Sequence, residues 1–445
     1  MDIQQLYNIY KQHPCITTDS RDCPKGSIFL ALRGDTFDGN RFAAQALERG
    51  CALAIVSDPS VAIDKRYILV DDTLQTFKDI AREHRRQFDI PVIGITGTNG
   101  KTTTKELVRA VLSEKYRVLA TEGNYNNNVG VPKTLLRLQP EHEIAVIEMG
   151  ASHPGDIKTL AETAEPTCGL ITNVGRAHLQ GFGSFEGVVK TKGELYDYLR
   201  TREDGLVFLN ADNDSLVDIL SDELWVTPYS TDPEKQYECI SGEVLECTPY
   251  LKFRWRRPLM ELEESGASTK WHKVQTRLVG AYNIDNLLAA IAVGINFGVD
   301  RKQICHALEN YEPTNSRSQL VQTGSNRIIV DAYNANPSSM KAALDNFVQT
   351  TVNAGETKMA ILGDMRELGE HSHDEHQQLV DALAKTDIDE VWLVGDEFGK
   401  TYCDYRKFAN VDEVKAEIMR QRPTGRLILV KGSNGTKLFQ LPELL

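Results

Sequence analysis

The stretch Val92–Lys105, VIGITGTNGKTTTK, constrains this chain more than any other. An apolar run, Pro91–Ile95, reads as a buried strand, and Lys105–Glu114 reads as a helix. Between them lie Gly97-Thr98-Asn99-Gly100, then Lys101 and the threonines Thr102, Thr103 and Thr104. A strand, a glycine turn and a helix start make a phosphate cradle. Glycines let backbone N–H groups converge on an anion, and the helix N-terminus adds partial positive charge. Lys101 then reaches toward terminal phosphates, and the Thr102 hydroxyl is placed for a phosphate-bound Mg²⁺. The spacing departs from the strict G-x-x-x-x-G-K-[ST] pattern, because Ile95 occupies the first glycine position. The flanking strand and helix therefore carry the assignment.

The remaining bounds are broad. A chain of 445 residues has room for two or three domains of ~100–200 residues each. A net charge of −13 argues against general nucleic-acid or membrane-surface binding, which needs a basic face. It leaves room for anionic substrates held by a local cluster of donors. The N-terminal MDIQQLYNIYKQHP has no secretory pattern, and no apolar run approaches the ~20 residues of a spanning helix. The eight cysteines are scattered without a C-x-x-C pair. They read as reduced thiols, and the chain as cytoplasmic.

Residues 1–88 hold strand-like runs at Ser27–Leu32, Leu53–Ser57 and Tyr67–Asp72, with helices at Phe42–Gly50 and Thr73–Phe88. Two polar patches, Thr18–Arg21 and Arg33–Asn40, read as solvated turns. Residues 89–312 alternate strands with helices. Glu148 ends the buried run Glu143–Gly150, where doubly wound sheets present functional groups, and a carboxylate there suits Mg²⁺. His178 follows the strand Cys168–Val174 and reads as a ligand for the same reason. Residues 230–278 break the alternation. Their aromatic and basic residues, with a polar loop at Glu261–Ser268, read as a hairpin insertion. Gly280–Gly298 is a strong helix with Asn283 and Asn286 on one side. From residue 313, strands Arg327–Ala332, Lys358–Asp364, Glu390–Gly395 and Leu427–Gly432 alternate with helices, predicting a parallel doubly wound sheet. No G-x-G-x-x-G is present there, so no dinucleotide is indicated.

These residues, taken in order, resemble the Mur ligase family: Gly97–Thr104, Glu148, Asn173-Val174 with His178, Lys192, Asn283 with Asn286, Arg317 and Asp331. The resemblance covers essentially the whole chain. Within the family it is strongest to the branch that adds a D-amino dipeptide, through Thr18–Arg21 with Gly34–Phe42, Gly123–Leu136, Asp331–Met340 and Leu362–Gly369. The last of these, LGDMRELG, differs from the Asp-Asn-Pro-Arg motif of relatives that add a diamino acid. Two departures stand out: Asn40 where the family has His, and Lys133 where it has Leu.

The resemblance implies an α/β fold of three domains. These are a small N-terminal domain for the uridine nucleotide (1–88), a central P-loop ATPase-type domain (89–312) and a C-terminal Rossmann-like ligase domain (313–445). It implies ATP and two Mg²⁺ ions as cofactors, with UDP-N-acetylmuramoyl-tripeptide and D-alanyl-D-alanine as partners of a monomer. Gly97, Thr98, Asn99, Gly100, Lys101, Thr102 and Thr103 would hold phosphates. Thr102 and Glu148 would hold one Mg²⁺, with His178 and a carbamylated Lys192 at a second. Asn283 would touch adenine; Arg317 and Asp331 would touch γ-phosphate and ribose. Ser20, Arg21, Asn126, Asn127, Asn334 and Asn336 would face substrate.

Overall fold

A computed structural model describes the chain except for residue 35, residues 176–178, 262–269 and 314–316, and the side chain of Leu179. His178 and most of the expected polar loop 261–268 therefore lie outside the described residues. The chain packs as two compact units. One comprises Met1–Gly94, Arg117–Gly150 and Asp156–Thr167; the other comprises Ile95–Tyr116, Ala151–Gly155 and Cys168–Leu445.

In the first unit, four parallel strands run in the order Ile16–Thr17, Ile28–Leu30, Leu53–Val56, Tyr67–Leu69. Alternation along a strand sends successive side chains to opposite faces. Ile28, Leu30 and Ile55 accordingly pack with Leu6, Tyr10 and Phe77 of the helices Ile3–Gln12 and Thr73–Arg85. Phe29, Ala54 and Val56 pack with Ala43, Ala46 and Leu47 of the helix Ala43–Glu48. The helix Ile3–Gln12 was not expected from the sequence. It is started by Asp2, whose carboxylate accepts from the Gln5 N–H at 2.8 Å in a capping box. The same unit carries the parallel pair Val118–Ala120 and Ile144–Glu148.

The strand Val92–Thr96 is buried throughout and crosses from the first unit into the second. In the second unit the strands Cys168–Ile171, Leu206–Asn210, Trp225–Ser230 and Ile240–Cys247 pair in parallel, and Tyr250–Arg256 and His272–Val279 continue antiparallel. The hairpin insertion explains the aromatic and basic run. Phe253 and Trp255 point into the core, while the guanidinium groups of Arg254 and Arg256 each stack 4.5 Å from the Trp271 ring.

A separate sheet runs in the order Gln319–Gln322, Asn326–Asp331, Arg426–Lys431, Thr357–Gly363, Glu390–Val394, Arg406–Phe408. It is doubly wound, with apolar clusters on both faces. The four expected strands pair in parallel, and Gln319–Gln322, which was not expected, adds an antiparallel edge strand. Among the described residues no helix is long and apolar enough to cross a membrane.

Candidate active site

The phosphate loop needs both its glycines. Gly97 has φ +139°, and a Cβ there would lie 2.0 Å from the Thr172 hydroxyl. Gly100 has φ +77°, and its Cβ would lie 2.4 Å from Oδ1 of Asn286. Left-handed backbone and absent space together exclude other residues. The helix begins at Lys101 rather than the expected Lys105, runs Lys101–Ser113, and has Gly100 as an N-cap that supplies no side chain. Lys101 folds back over the loop, donating to the carbonyls of Gly97 at 2.8 Å and Thr98 at 2.9 Å. Thr102 and Thr103 occupy the first turn and are buried.

The loop is fastened to the tail of the neighbouring strand. Thr98 N–H donates to the Asn173 carbonyl at 2.9 Å, and Asn99 N–H to Asn173 Oδ1 at 3.0 Å. The Asn99 carbonyl accepts from Thr172 Oγ1 at 2.6 Å and Asn173 Nδ2 at 3.1 Å. Behind the loop runs a buried relay: Thr104 Oγ1 donates to Asn286 Oδ1, Asn286 Nδ2 to Asn283 Oδ1, and Asn283 Nδ2 to the Val279 carbonyl, each at 2.9 Å. Asn283, expected at adenine, thus has both ends of its amide engaged inside the protein and is 1% exposed.

From the C-terminal sheet, Asp331 ends the strand Asn326–Asp331 and accepts from the buried Lys431 ammonium at 2.6 Å. Lys431 also donates to the Asn334 carbonyl at 3.3 Å. Arg317 stacks 4.0 Å from the Tyr333 ring centroid. Asn336 caps the helix Pro337–Gln349, accepting from Ser339 N–H at 2.9 Å. Its amide nitrogen donates to Asn99 Oδ1 at 2.8 Å. Asn336, expected at substrate, touches the phosphate loop through this bond.

A cavity of about 1050 Å³ opens at the carboxyl edge of the same sheet, lined by Asp364–Glu370, Lys400 and Lys437 among others. Its loop is rigidly held. Asp364 accepts from the N–H groups of Glu397 at 3.0 Å and Phe398 at 2.9 Å. His376 is fully buried, donates from Nδ1 to the Ser372 carbonyl at 2.6 Å, and accepts from Met365 N–H at 3.0 Å through Nε2. Burial pushes its pKa down, so the neutral ring that this bonding needs is favoured. The Arg366 guanidinium lies against Gly435, where a Cβ would sit 2.2 Å from Cζ.

Family models match along the chain: Mur ligase family, catalytic domain, at residues 14–85; Mur ligase middle domain at 95–294; and Mur ligase, glutamate ligase domain, at 316–434. The UDP-N-acetylmuramoyl-tripeptide–D-alanyl-D-alanine ligase of Bacillus subtilis (strain 168) is 33% identical, with 96% of this chain and 92% of that protein aligned. The ligase of the same name from Escherichia coli (strain K12) is 34% identical, over 97% of this chain and 93% of that protein. The crystal structure of MurF from Acinetobacter baumannii superimposes with a TM-score of 0.85 at 30% identity, covering 99% of this chain and 98% of that one. The chain belongs to the Mur ligase family.

The other expected residues of this Mur ligase sit as follows. In the first unit, Glu148 is 1% exposed, and one carboxylate oxygen accepts from Asn126 Nδ2 at 2.8 Å. Asn127 Oδ1 accepts from the N–H groups of Val129 at 3.1 Å and Gly130 at 2.9 Å, holding the turn into the next helix. Arg21 forms a two-pronged pair with Asp19, Nε at 2.9 Å and Nη2 at 2.8 Å. That bonding holds the exposed Asp19 carboxyl near 2. The Ser20 carbonyl accepts from Arg49 at 2.9 Å. Asn40, the departure from family pattern, is buried and structural: its amide bonds Asp38 Oδ1 at 2.8 Å and Ser57 N–H at 2.9 Å. In the second unit, Lys192 is 2% exposed, with its ammonium 5.4 Å from the Phe182 ring centroid. Among the described residues, no three His, Cys, Asp or Glu side chains converge as a metal site. Lys431 and Arg366 follow strand ends, a signal legible in the sequence; His376 carries no such signal and was not singled out.

Proposed function

We propose that this chain is an ATP-dependent, ADP-forming ligase joining D-alanyl-D-alanine to UDP-N-acetylmuramoyl-tripeptide, a step of peptidoglycan precursor synthesis. The observation that carries the proposal is the phosphate loop Gly97–Thr102, closed by Lys101 and opening a helix with no side-chain cap. It is supported by likeness to ligases of that name over more than nine-tenths of the chain.

The tripeptide carboxylate attacks the γ-phosphorus of ATP and ADP leaves, giving an acyl phosphate. The dipeptide amine attacks the acyl carbon. The tetrahedral intermediate then expels phosphate and leaves an amide. Phosphorylation is needed because a carboxylate oxygen is a poor leaving group. Two anions must approach in the first step, and the cations Lys101 and Arg317 offset their repulsion. The acyl phosphate reacts readily with water, so water must be kept from it until the amine attacks.

Thr102 and the buried Glu148 offer oxygen donors, which suit Mg²⁺. Lys192 and His178 are the further ligands in this reading. The 2% exposed Lys192 fits a cation site only as a carbamate, since an ammonium repels a cation whereas a carbamate presents oxygens. When bound, Mg²⁺ neutralises phosphate charge. The acceptor enters the cavity beside Asp364–Glu370, where Arg366 takes the terminal carboxylate of the dipeptide. Ser20, Arg21 and Asn127 face the uridine nucleotide. The enzyme works as a cytoplasmic monomer.

Purified enzyme offered ATP, the tripeptide nucleotide and the dipeptide should release phosphate, with product mass equal to both substrates less water. Release of AMP, or no phosphate release when both are present, would refute the proposal. Lys101→Ala should abolish release while the fold persists.

A further inference from the structure

The side chain of Asn99 is engaged by the segment Asp331–Ser338. Its main chain is already pinned by Thr172 and Asn173. Its amide oxygen accepts from Asn336 Nδ2 at 2.8 Å, and its amide nitrogen donates to Ser338 Oγ at 2.9 Å. Ser338 Oγ in turn donates to Asn336 Oδ1 at 2.9 Å, closing a three-residue ring of hydrogen bonds. Packing there leaves little slack: a Cβ on Gly175 would lie 3.1 Å from Ser338 Oγ. The ring sits at one end of the segment Asp331–Ser338, and Lys431 holds the other end through Asp331 and Asn334.

We infer that Asn99 is a positioning residue: through Asn336 and Ser338 it clasps the segment Asp331–Ser338 to the phosphate loop and so places Asp331 for the nucleotide. The inference rests on the ligase reading above and goes beyond it, because it gives a loop residue a task other than phosphate contact. Nucleotide that tightens the loop also orders the segment, and loss of the clasp weakens nucleotide binding from a distance.

The test separates the clasp from helix capping. Asn336→Ser keeps a capping side chain, since Ser and Asn cap about equally well, but is too short to reach Asn99. Asn99→Ala removes both bonds to the segment. Each variant should weaken ATP binding about tenfold by calorimetry, the worth of one or two hydrogen bonds. The double variant should be no weaker than either single one. The loss should fall on KM for ATP more than on kcat, and amide exchange over 331–340 should quicken in nucleotide-free Asn99→Ala. Weakening in Asn99→Ala with normal binding in Asn336→Ser would overturn the clasp, because Asn99 would then act on nucleotide directly. Additive losses, or unchanged exchange, would overturn it too. Wild-type enzyme that binds no ATP would instead sink the ligase reading itself.

Discussion

Gly100→Ala tests whether the loop is held by its fit to Asn286. Two effects add. The backbone at φ +77° disfavours alanine by roughly 1–2 kcal/mol. The new Cβ would also meet Asn286 Oδ1 at 2.4 Å. A flexible exposed side chain would swing away, but Asn286 is 7% exposed and bonded to Thr104 and Asn283. Moving it leaves buried polar groups unpaired, at about 1–3 kcal/mol. The total is about 2–5 kcal/mol, a large part of an ordinary domain stability of roughly 5–15 kcal/mol. Gly355 is the control: φ +83° with nothing within 4 Å of its Cβ. Gly355→Ala should lose only the backbone part, roughly 1–2 kcal/mol. Urea unfolding followed by circular dichroism measures both. Equal losses for the two variants would refute the collision, and with it the view that Asn286 shapes the loop.

Three further outcomes follow from the geometry. Burial, with Asp212 adding to it, pushes the Asp285 carboxyl up to about 6. The folded chain then binds this proton more tightly than the unfolded one, so stability is greatest below the unfolded value near 4 and falls as pH rises through 6. Asp285→Asn should therefore stabilise by up to about 3 kcal/mol at pH 8, with the gain vanishing near pH 4; a pH-independent gain in melting scans would contradict this. Lys192→Ala should be inactive and regain turnover with short carboxylic acids in a phosphate-release assay, whereas unchanged activity would remove Lys192 from the metal site. Arg366→Ala should raise KM for the dipeptide by about tenfold to a hundredfold, as loss of a charge-assisted bond of about 1.5–3 kcal/mol requires, and leave KM for ATP alone.

The legible parts of this chain are those whose cause is local. The phosphate loop could be read because its glycines, its lysine and its two flanking elements lie within fourteen consecutive residues, Val92–Lys105. Continuous apolar runs gave the buried strands of the C-terminal sheet, since Ile328, Val330, Ile361 and Val430 face one cluster and Ile329, Ala360, Leu362 and Leu429 the other, so both faces are buried. The edge strand Gln319–Gln322 escaped because it is short and only partly buried. Its direction is decided by the partner Asn326–Asp331, not by its own pattern.

The candidate site divides along the same line. Asn283 and Asn286 were visible as helix neighbours, but periodicity says nothing of what lies opposite them; that Asn286 backs onto Gly100 and Thr104 follows only from packing. Asn99 and Asn336 were each placed near ligand by resemblance, yet 237 positions separate them in sequence, and no short pattern can encode their bond. An asparagine suits such a joint physically. Its amide offers a donor and an acceptor at one point without charge, so it can tie loop to helix cap without adding a charge beside the nucleotide's phosphates. An aspartate at position 99 would keep the acceptor, lose the donor to Ser338, and add repulsion toward ATP. Asn99→Asp should accordingly weaken ATP binding more than Asn99→Ala, and calorimetry showing the opposite order would mean that the loop's anion field does not extend to this side chain.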